Sequence, residues 1–134
     1  MNKDLDKYIE QHTKNRVGTD KTQSFTEYLY ELMDKYGYKN SADLYNKADI
    51  SRQLWSSIIS SKSNPSLNTC LKIVFALGVD THECKYLLKK AGYTLASSNK
   101  YALIIRYAIE NKIYDIYEVN KLLEEYGYSD SLII

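Results

Sequence analysis

From Ser24 to Tyr128 the apolar positions recur at three- and four-residue spacing, and the polar residues between them are those that start and stop helices. Ser24-Phe25-Thr26-Glu27 is an S-x-x-E capping box, and Phe25, Leu29, Leu32, Met33 and Tyr36 supply the apolar stripe of the helix it opens. Asn40 or Ser41 opens SADLYNKA, Ser51 opens RQLWSSIIS, and Ser66, after Pro65, opens LNTCLKIVFALG. Asp80-Thr81-His82-Glu83 is a second capping box ahead of CKYLLKKAG; Ser97 or Ser98 opens NKYALIIRYAIENK, and Asp115 opens the helix that runs through VNKLLEEYG. No segment of four or more residues alternates cleanly between polar and apolar, and hairpin dipeptides such as Asn-Gly are absent. The pattern predicts an all-α chain of seven or eight short helices.

The stops are as legible as the starts. LMDKYGY (32–38), LLKKAGY (87–93) and LLEEYGY (122–128) share one form: two apolar residues, two polar ones, Ala or Tyr, then Gly-Tyr. Glycine supplies the left-handed conformation that closes a helix, and the tyrosine after it is placed to fold back on the last turn. The segments between these stops do not match at a fixed period, so the recurrence reads as convergent capping rather than as a repeat array.

Three parts follow: a polar N-terminal helical arm and linker (1–23), with Leu5, Tyr8, Ile9 and His12 on one side of a short helix; a helical domain (24–96); and a C-terminal helical extension (97–134) built as a pair of helices. The pair carries Tyr101, Leu103, Ile104, Ile105, Tyr107, Ala108, Ile109, Ile113 and Ile116, more apolar surface than one short hairpin buries alone. It must pack on the preceding helices or on a second copy of the chain.

Composition narrows the function. The chain has 134 residues, 44% hydrophobic and 26% charged, as an ordinary globular protein does. No apolar run approaches the roughly 20 residues that span a bilayer, and MNKDLDKYIEQHTKNR lacks a signal-peptide core, so a cytoplasmic protein with no membrane partner is expected. Cys70 and Cys84 sit inside apolar helical patterns and read as buried thiols, while His12 and His82 lack any cluster at ligand spacing. Neither a metal nor a cofactor is expected. There is no nucleophile beside a histidine, no glycine-rich phosphate loop and no HExxH, so the chain does not read as an enzyme. The net charge of +1 is unevenly spread: residues 51–66 carry +2 and 67–100 carry +3, whereas 25–50 carry −2 and 101–134 carry −3. From Arg52 to Val79 there is no acidic residue. A local positive field on a near-neutral chain suits a module that binds a polyanion.

Within that stretch, SRQLWSSIISSKSNPS (51–66) holds seven serines, two cations and no acid, yet Leu54, Trp55, Ile58 and Ile59 keep helical spacing. The preceding helix is only two residues away, so the two must cross steeply, as in a helix-turn-helix unit, around Leu44, Ile50, Trp55 and Ile58. The opposite face of the second helix then projects Arg52, Gln53, Ser56 and Ser57. Arg bonds bidentately to guanine, Gln to adenine, and Ser to phosphate or several base edges, which is the side-chain set that major-groove readout needs.

These residues carry a resemblance. DISRQLWSSIISSKSNPSLNTCLKIVFALGV (49–79) resembles the helix-turn-helix core of the Cro/repressor (XRE-type) DNA-binding family, which shows a Gly-Ile-Ser turn, a recognition helix, a Lys-x-Asn-Pro-Ser connection and a Leu-rich helix ending Ala-Leu-Gly-Val. Lys62-Ser63-Asn64-Pro65-Ser66 and Ala76-Leu77-Gly78-Val79 match closely. The likeness covers roughly residues 25–92 and implies a lambda-repressor-like five-helix domain. By position it implies base contacts from Arg52, Gln53 and Ser57 with Ser56 beside them, and phosphate contacts from Asn40, Ser41, Ser60, Ser61, Lys62, Ser63 and Asn64. The chain departs from the family at Tyr45, where a small residue is usual, at Asp49 in place of the turn glycine, at Leu54 and at Trp55. The AGYTL segment and the pattern after it resemble uncharacterised bacterial helix-turn-helix proteins through Tyr128. The expected function is a transcription regulator of bacterial, phage or mobile-element type that binds double-stranded DNA as a homodimer. The alternative expectation is a protein-interaction module on the same fold, a phage-encoded inhibitor or defence-associated adaptor, motivated by low net charge, Leu54, Tyr45 and the acidic C-terminal third.

Overall fold

The structure is a computed structural model that describes residues 3–6 and 23–134. Residues 3–6 are helical and exposed; the rest of the arm and linker expected over 1–23, with Tyr8, Ile9 and His12, lies outside the described residues, Gln23 excepted. From there the chain forms α1 (Phe25–Lys35), α2 (Ser41–Lys47), α3 (Arg52–Ile59), α4 (Leu67–Leu77), α5 (Thr81–Lys90), α6 (Lys100–Glu110) and α7 (Ile116–Glu125), then a 3₁₀ turn (Ser129–Ser131). No strand occurs among the described residues, and no helix there is long and apolar enough to cross a membrane.

Every one of these α-helices is opened by a side-chain cap, because Ser, Asn and Asp oxygens satisfy backbone N–H groups that the first turn leaves without partners. Ser24 and Asp80 complete capping boxes with Glu27 and Glu83. Asn40, Ser51, Ser66 and Asp115 cap α2, α3, α4 and α7. One start differs from expectation: α6 is capped by Asn99, not by Ser97 or Ser98, its Oδ1 accepting from the Tyr101 N–H at 2.9 Å. Three adjacent residues all have capping side chains, and local sequence does not choose among them. From that start Ala102, Ile105 and Ala108 form the inward side of the helix, all at most 2% exposed.

At the other ends, one hydrogen-bond pattern repeats six times. The residue in the left-handed region is Gly37, Asp49, Ser61, Gly92, Lys112 or Gly127. In each case its N–H bonds back three residues and the following N–H bonds back five, as for Gly37 to Asp34 and Tyr38 to Met33. This is the Schellman motif. The three Gly-Tyr stops behave alike in backbone but not in side chain. Tyr38 and Tyr93 reach away from their own helices, donating to the Ala76 carbonyl at 3.1 Å and the Pro65 carbonyl at 2.9 Å. Tyr128 sets its ring edge-on to Tyr101, with centroids 5.4 Å apart. The tyrosines pin neighbouring segments rather than folding only onto the last turn.

Helix α4 is apolar almost all round, with Cys70, Leu71, Ile73, Val74, Phe75, Ala76 and Leu77 buried, and a helix of that kind must sit in the middle of its domain. Helices α2 and α5 pack against it, α1 packs on α5, and α6 packs on α5. One continuous apolar cluster runs from Phe25 to Ile133 and takes in Ile104, Ile105, Ala108, Ile109, Val119 and Leu123 of the C-terminal pair. The pair therefore does pack on the preceding helices. Tyr114 adds a tie, its hydroxyl donating to the Val79 carbonyl at 2.9 Å. Cys70 and Cys84 are buried and unpaired, and burial pushes both thiols up to about 12.

Two long-range polar arrangements complete the fold. Glu83, 6% exposed, receives the Lys35 ammonium, the Tyr36 hydroxyl and the Asp80 N–H, joining α1 to α5. At the far end, the last residues lie along α4 and α7. The Asn120 side chain donates to the Ile133 carbonyl at 2.9 Å and accepts its N–H at 2.8 Å. Asn68 does the same for Ile134 at 2.7 and 3.1 Å. Each asparagine amide mimics a neighbouring strand's peptide group, and Ile133 between them is 1% exposed.

Candidate nucleic-acid interface

Helix α3 is short, and its start is fixed by Ser51, whose Oγ accepts from the Leu54 N–H at 3.1 Å. Its inner side carries Trp55 and Ile58, 5% and 2% exposed, which meet Leu44 and Ile50, also buried. Because 3.6-residue periodicity then dictates the outer side, Arg52, Gln53, Leu54 and Ser56 are exposed, and Ser57 is half-buried. Among the described residues, neither Arg52 nor Gln53 spends its side chain on an ion pair or hydrogen bond within the chain. No later helix covers this edge.

The turn that sets the α2–α3 crossing is Ala48-Asp49-Ile50. Asp49 takes φ 56, and the Ile50 N–H reaches the Tyr45 carbonyl at 2.8 Å. Asp is among the few non-glycine residues that tolerate this conformation at modest cost. Tyr45, bulky for such a crossing, is half-buried and tilts its ring against Trp55 with centroids 5.8 Å apart. The two aromatic rings thus share the enlarged core of the pair.

Around α3 the remaining candidate residues split into two groups. Asn40 is exposed, but its Oδ1 is engaged by the Ala42 N–H at 2.9 Å as the cap of α2, with half-buried Ser41 next to it. In the loop after α3, Ser60 turns its hydroxyl back to the Ser56 carbonyl at 2.8 Å. Asn64 donates its amide to the Ala91 carbonyl at 2.9 Å, tying the loop to the end of α5. These groups hold the loop in shape. Ser61, Ser63 and Lys62 are exposed; Ser61 takes φ 61, and the Lys62 and Ser63 N–H groups both bond to the Ser57 carbonyl at 2.9 and 3.2 Å. Lys62 therefore rides on a closed turn with its ammonium in solvent. Arg52 and Lys62 bracket α3 in sequence, and no carboxylate lies between them.

One residue near this surface escaped sequence reasoning. Asn68, in the first turn of α4, reads as an ordinary polar helix position, yet it holds Ile134. Ile134 is thereby held along α4, where it lines a cleft with Lys47, Ala48 and Asp49 of the α2–α3 turn. A partner 66 residues away leaves no local signal.

The molecule so described is an all-α protein with an exposed, acid-free helix edge. Comparison with protein-family models, with curated proteins and with solved structures finds no match.

Proposed function

We propose that the protein is a sequence-specific transcription regulator that binds double-stranded DNA in the cytoplasm as a homodimer, with α1–α5 arranged as in the Cro/repressor helix-turn-helix family. The observation that carries this reading is the α3 edge: Arg52, Gln53 and Ser56 exposed on a helix whose inner side is anchored by Trp55. Arg52 and Gln53 read base edges from the major groove. Ser57, half-buried, supports them at the rim, while Lys62, Ser61, Ser63 and the amides around Asn40 and Ser41 meet phosphates. Ser60 and Asn64 act here by shaping the loop, since their side chains already have partners.

Selection of bound sites from a random duplex library with purified protein tests the reading directly. A consensus sequence is expected. On it, Arg52→Ala and Gln53→Ala each weaken binding by about 1–3 kcal/mol and relax specificity at the contacted base. With Arg52 on a base, Lys62 is the one side-chain cation per protomer placed at a phosphate, so about two phosphates are neutralised per dimer and affinity falls about tenfold between 50 and 200 mM salt. Failure to select any sequence at low salt, or binding indifferent to both substitutions, removes this reading.

Leu54 favours a second one. It is 39% exposed in the middle of the same edge, where an aliphatic side chain suits a protein surface as well as a thymine methyl. If the edge binds a protein, Leu54→Ala is the damaging substitution and Arg52→Ala is tolerated.

A further inference from the structure

The outer face of α6 carries a pattern that the core does not use. Lys100, Leu103, Tyr107 and Glu110 are all exposed, Leu103 at 45% and Tyr107 at 54%, while Ala102, Ile105, Ala108 and Ile109 face inward. Steps of three, four and three residues draw one straight stripe along a helix, the spacing of a coiled-coil seam. The stripe is also symmetric. Leu103 and Tyr107 lie equally far on either side of Ile105, and so do Lys100 and Glu110, with a cation at one end and a carboxylate at the other.

We propose that α6 pairs antiparallel with α6 of a second copy of the chain, across a two-fold axis at the level of Ile105. Leu103 packs on Tyr107 of the partner subunit, and Lys100 pairs with Glu110 of the partner subunit. Two-fold symmetry makes every such contact twice. Charge selects this arrangement over the parallel one, which would set Lys100 against Lys100 and Glu110 against Glu110. Within one chain the two charges are about 15 Å apart along the helix and do not serve each other. Two helices of eleven residues bury less than the roughly 1,200 Å² of a standard interface. The remainder comes from a groove of about 420 Å³ alongside the seam, whose far wall is Leu122, Glu125 and Tyr126 of α7, Tyr126 being 57% exposed with the Lys100 ammonium 6.0 Å from its ring centroid. An interface of that size and polarity dissociates in the micromolar range as an order of magnitude. The surface lies on α6 and α7, not on α3, so this inference gives the proposed homodimer its interface without resting on DNA binding.

Sedimentation velocity of the full chain from about 1 to 500 μM, a span centred on that affinity, is the test, with circular dichroism to verify that each variant is folded. A monomer–dimer equilibrium is expected. Leu103→Glu weakens it at least about tenfold, by placing a charge in the apolar seam. Lys100→Glu and Glu110→Lys each weaken it several-fold, whereas the double variant, and an equimolar mixture of the two single variants, associate within about twofold of the parent protein because the pairs re-form with exchanged signs. A chain monomeric throughout, a dimer indifferent to Leu103→Glu, or a double variant no tighter than the singles overturns the proposal. The selected-duplex assay with Arg52→Ala reads a different surface, so the two results separate.

Discussion

Glu83 is the residue on which the α1–α5 contact turns. Burial alone would push its carboxyl up, but hydrogen bonds from Lys35 and Tyr36, the Asp80 N–H and the Lys35 charge together outweigh burial and hold it below the usual carboxylate range. A folded-state value lower than the unfolded one adds stability that is fully present above about pH 4.3 and is lost as pH falls through the folded value. Lys35 is shifted up by the same partner, so its share persists until pH rises past the ordinary lysine range. Between those limits stability should be flat on account of this pair. Glu83→Gln keeps the shape and removes the charge. Urea unfolding should show it about 1–3 kcal/mol less stable at pH 7, and the gap should close as the parent is titrated below pH 4. A gap that persists unchanged at pH 3 would mean that packing, not charge, explains the loss. Tyr36 shares the site, and burial, then its bond to Glu83, pushes its hydroxyl well up, so it remains a donor throughout this range.

The helix ends carry the next lesson, because the same Schellman pattern is closed by glycine in three places and by Asp49, Ser61 and Lys112 in three others. A left-handed residue with a Cβ is strained by about 1 kcal/mol, less for Asp, which tolerates the region. Lys112 is exposed, and among the described residues its side chain has no partner to lose, so Lys112→Gly should raise stability by about 0.5–1 kcal/mol despite the added freedom of the unfolded chain. Asp49→Gly should gain less, and thermal unfolding of the two variants checks the order. This asymmetry also explains which ends sequence reasoning could reach. The Gly-Tyr stops announce themselves, and the single-residue caps at Ser24, Ser51, Ser66, Asp80 and Asp115 each stand alone before an apolar stripe. The stop at Lys112 has no local mark, and Ser97-Ser98-Asn99 has too many. The candidate interface divides the same way. The outward aim of Arg52 and Gln53 follows from the inward aim of Trp55 and Ile58, which periodicity supplies. That Asn64 is spent on the Ala91 carbonyl, 27 residues on, is a fact of tertiary geometry with no precursor in the local pattern.

For the whole molecule the question is whether the C-terminal pair folds with the rest or merely beside it. One apolar cluster spans both, and three ties cross between them: α6 on α5, Tyr114 on the Val79 carbonyl, and the asparagine clamp, in which Asn68 of α4 and Asn120 of α7 grip adjacent residues of the same end segment. A shared core of this kind predicts a single cooperative transition. The chain supplies a convenient reporter, since Trp55 is its one tryptophan and sits in the α2–α3 core, far in sequence from α7. Trp55 fluorescence and far-ultraviolet circular dichroism should therefore give coincident urea curves. Asn120→Ala removes both bonds to Ile133 and leaves a buried N–H and carbonyl without partners, a loss of about 1–3 kcal/mol. If the clamp couples the two parts, the variant should do more than shift the midpoint. Amide exchange at Ile133, Ile134 and the end of α7 should rise well above that at α4, and the circular dichroism curve should begin to fall before the Trp55 signal moves. A uniform shift, with both probes still coincident and exchange raised evenly, would mean that the shared apolar core and the Tyr114 tie suffice to bind the C-terminal pair and that the clamp only orders the end segment.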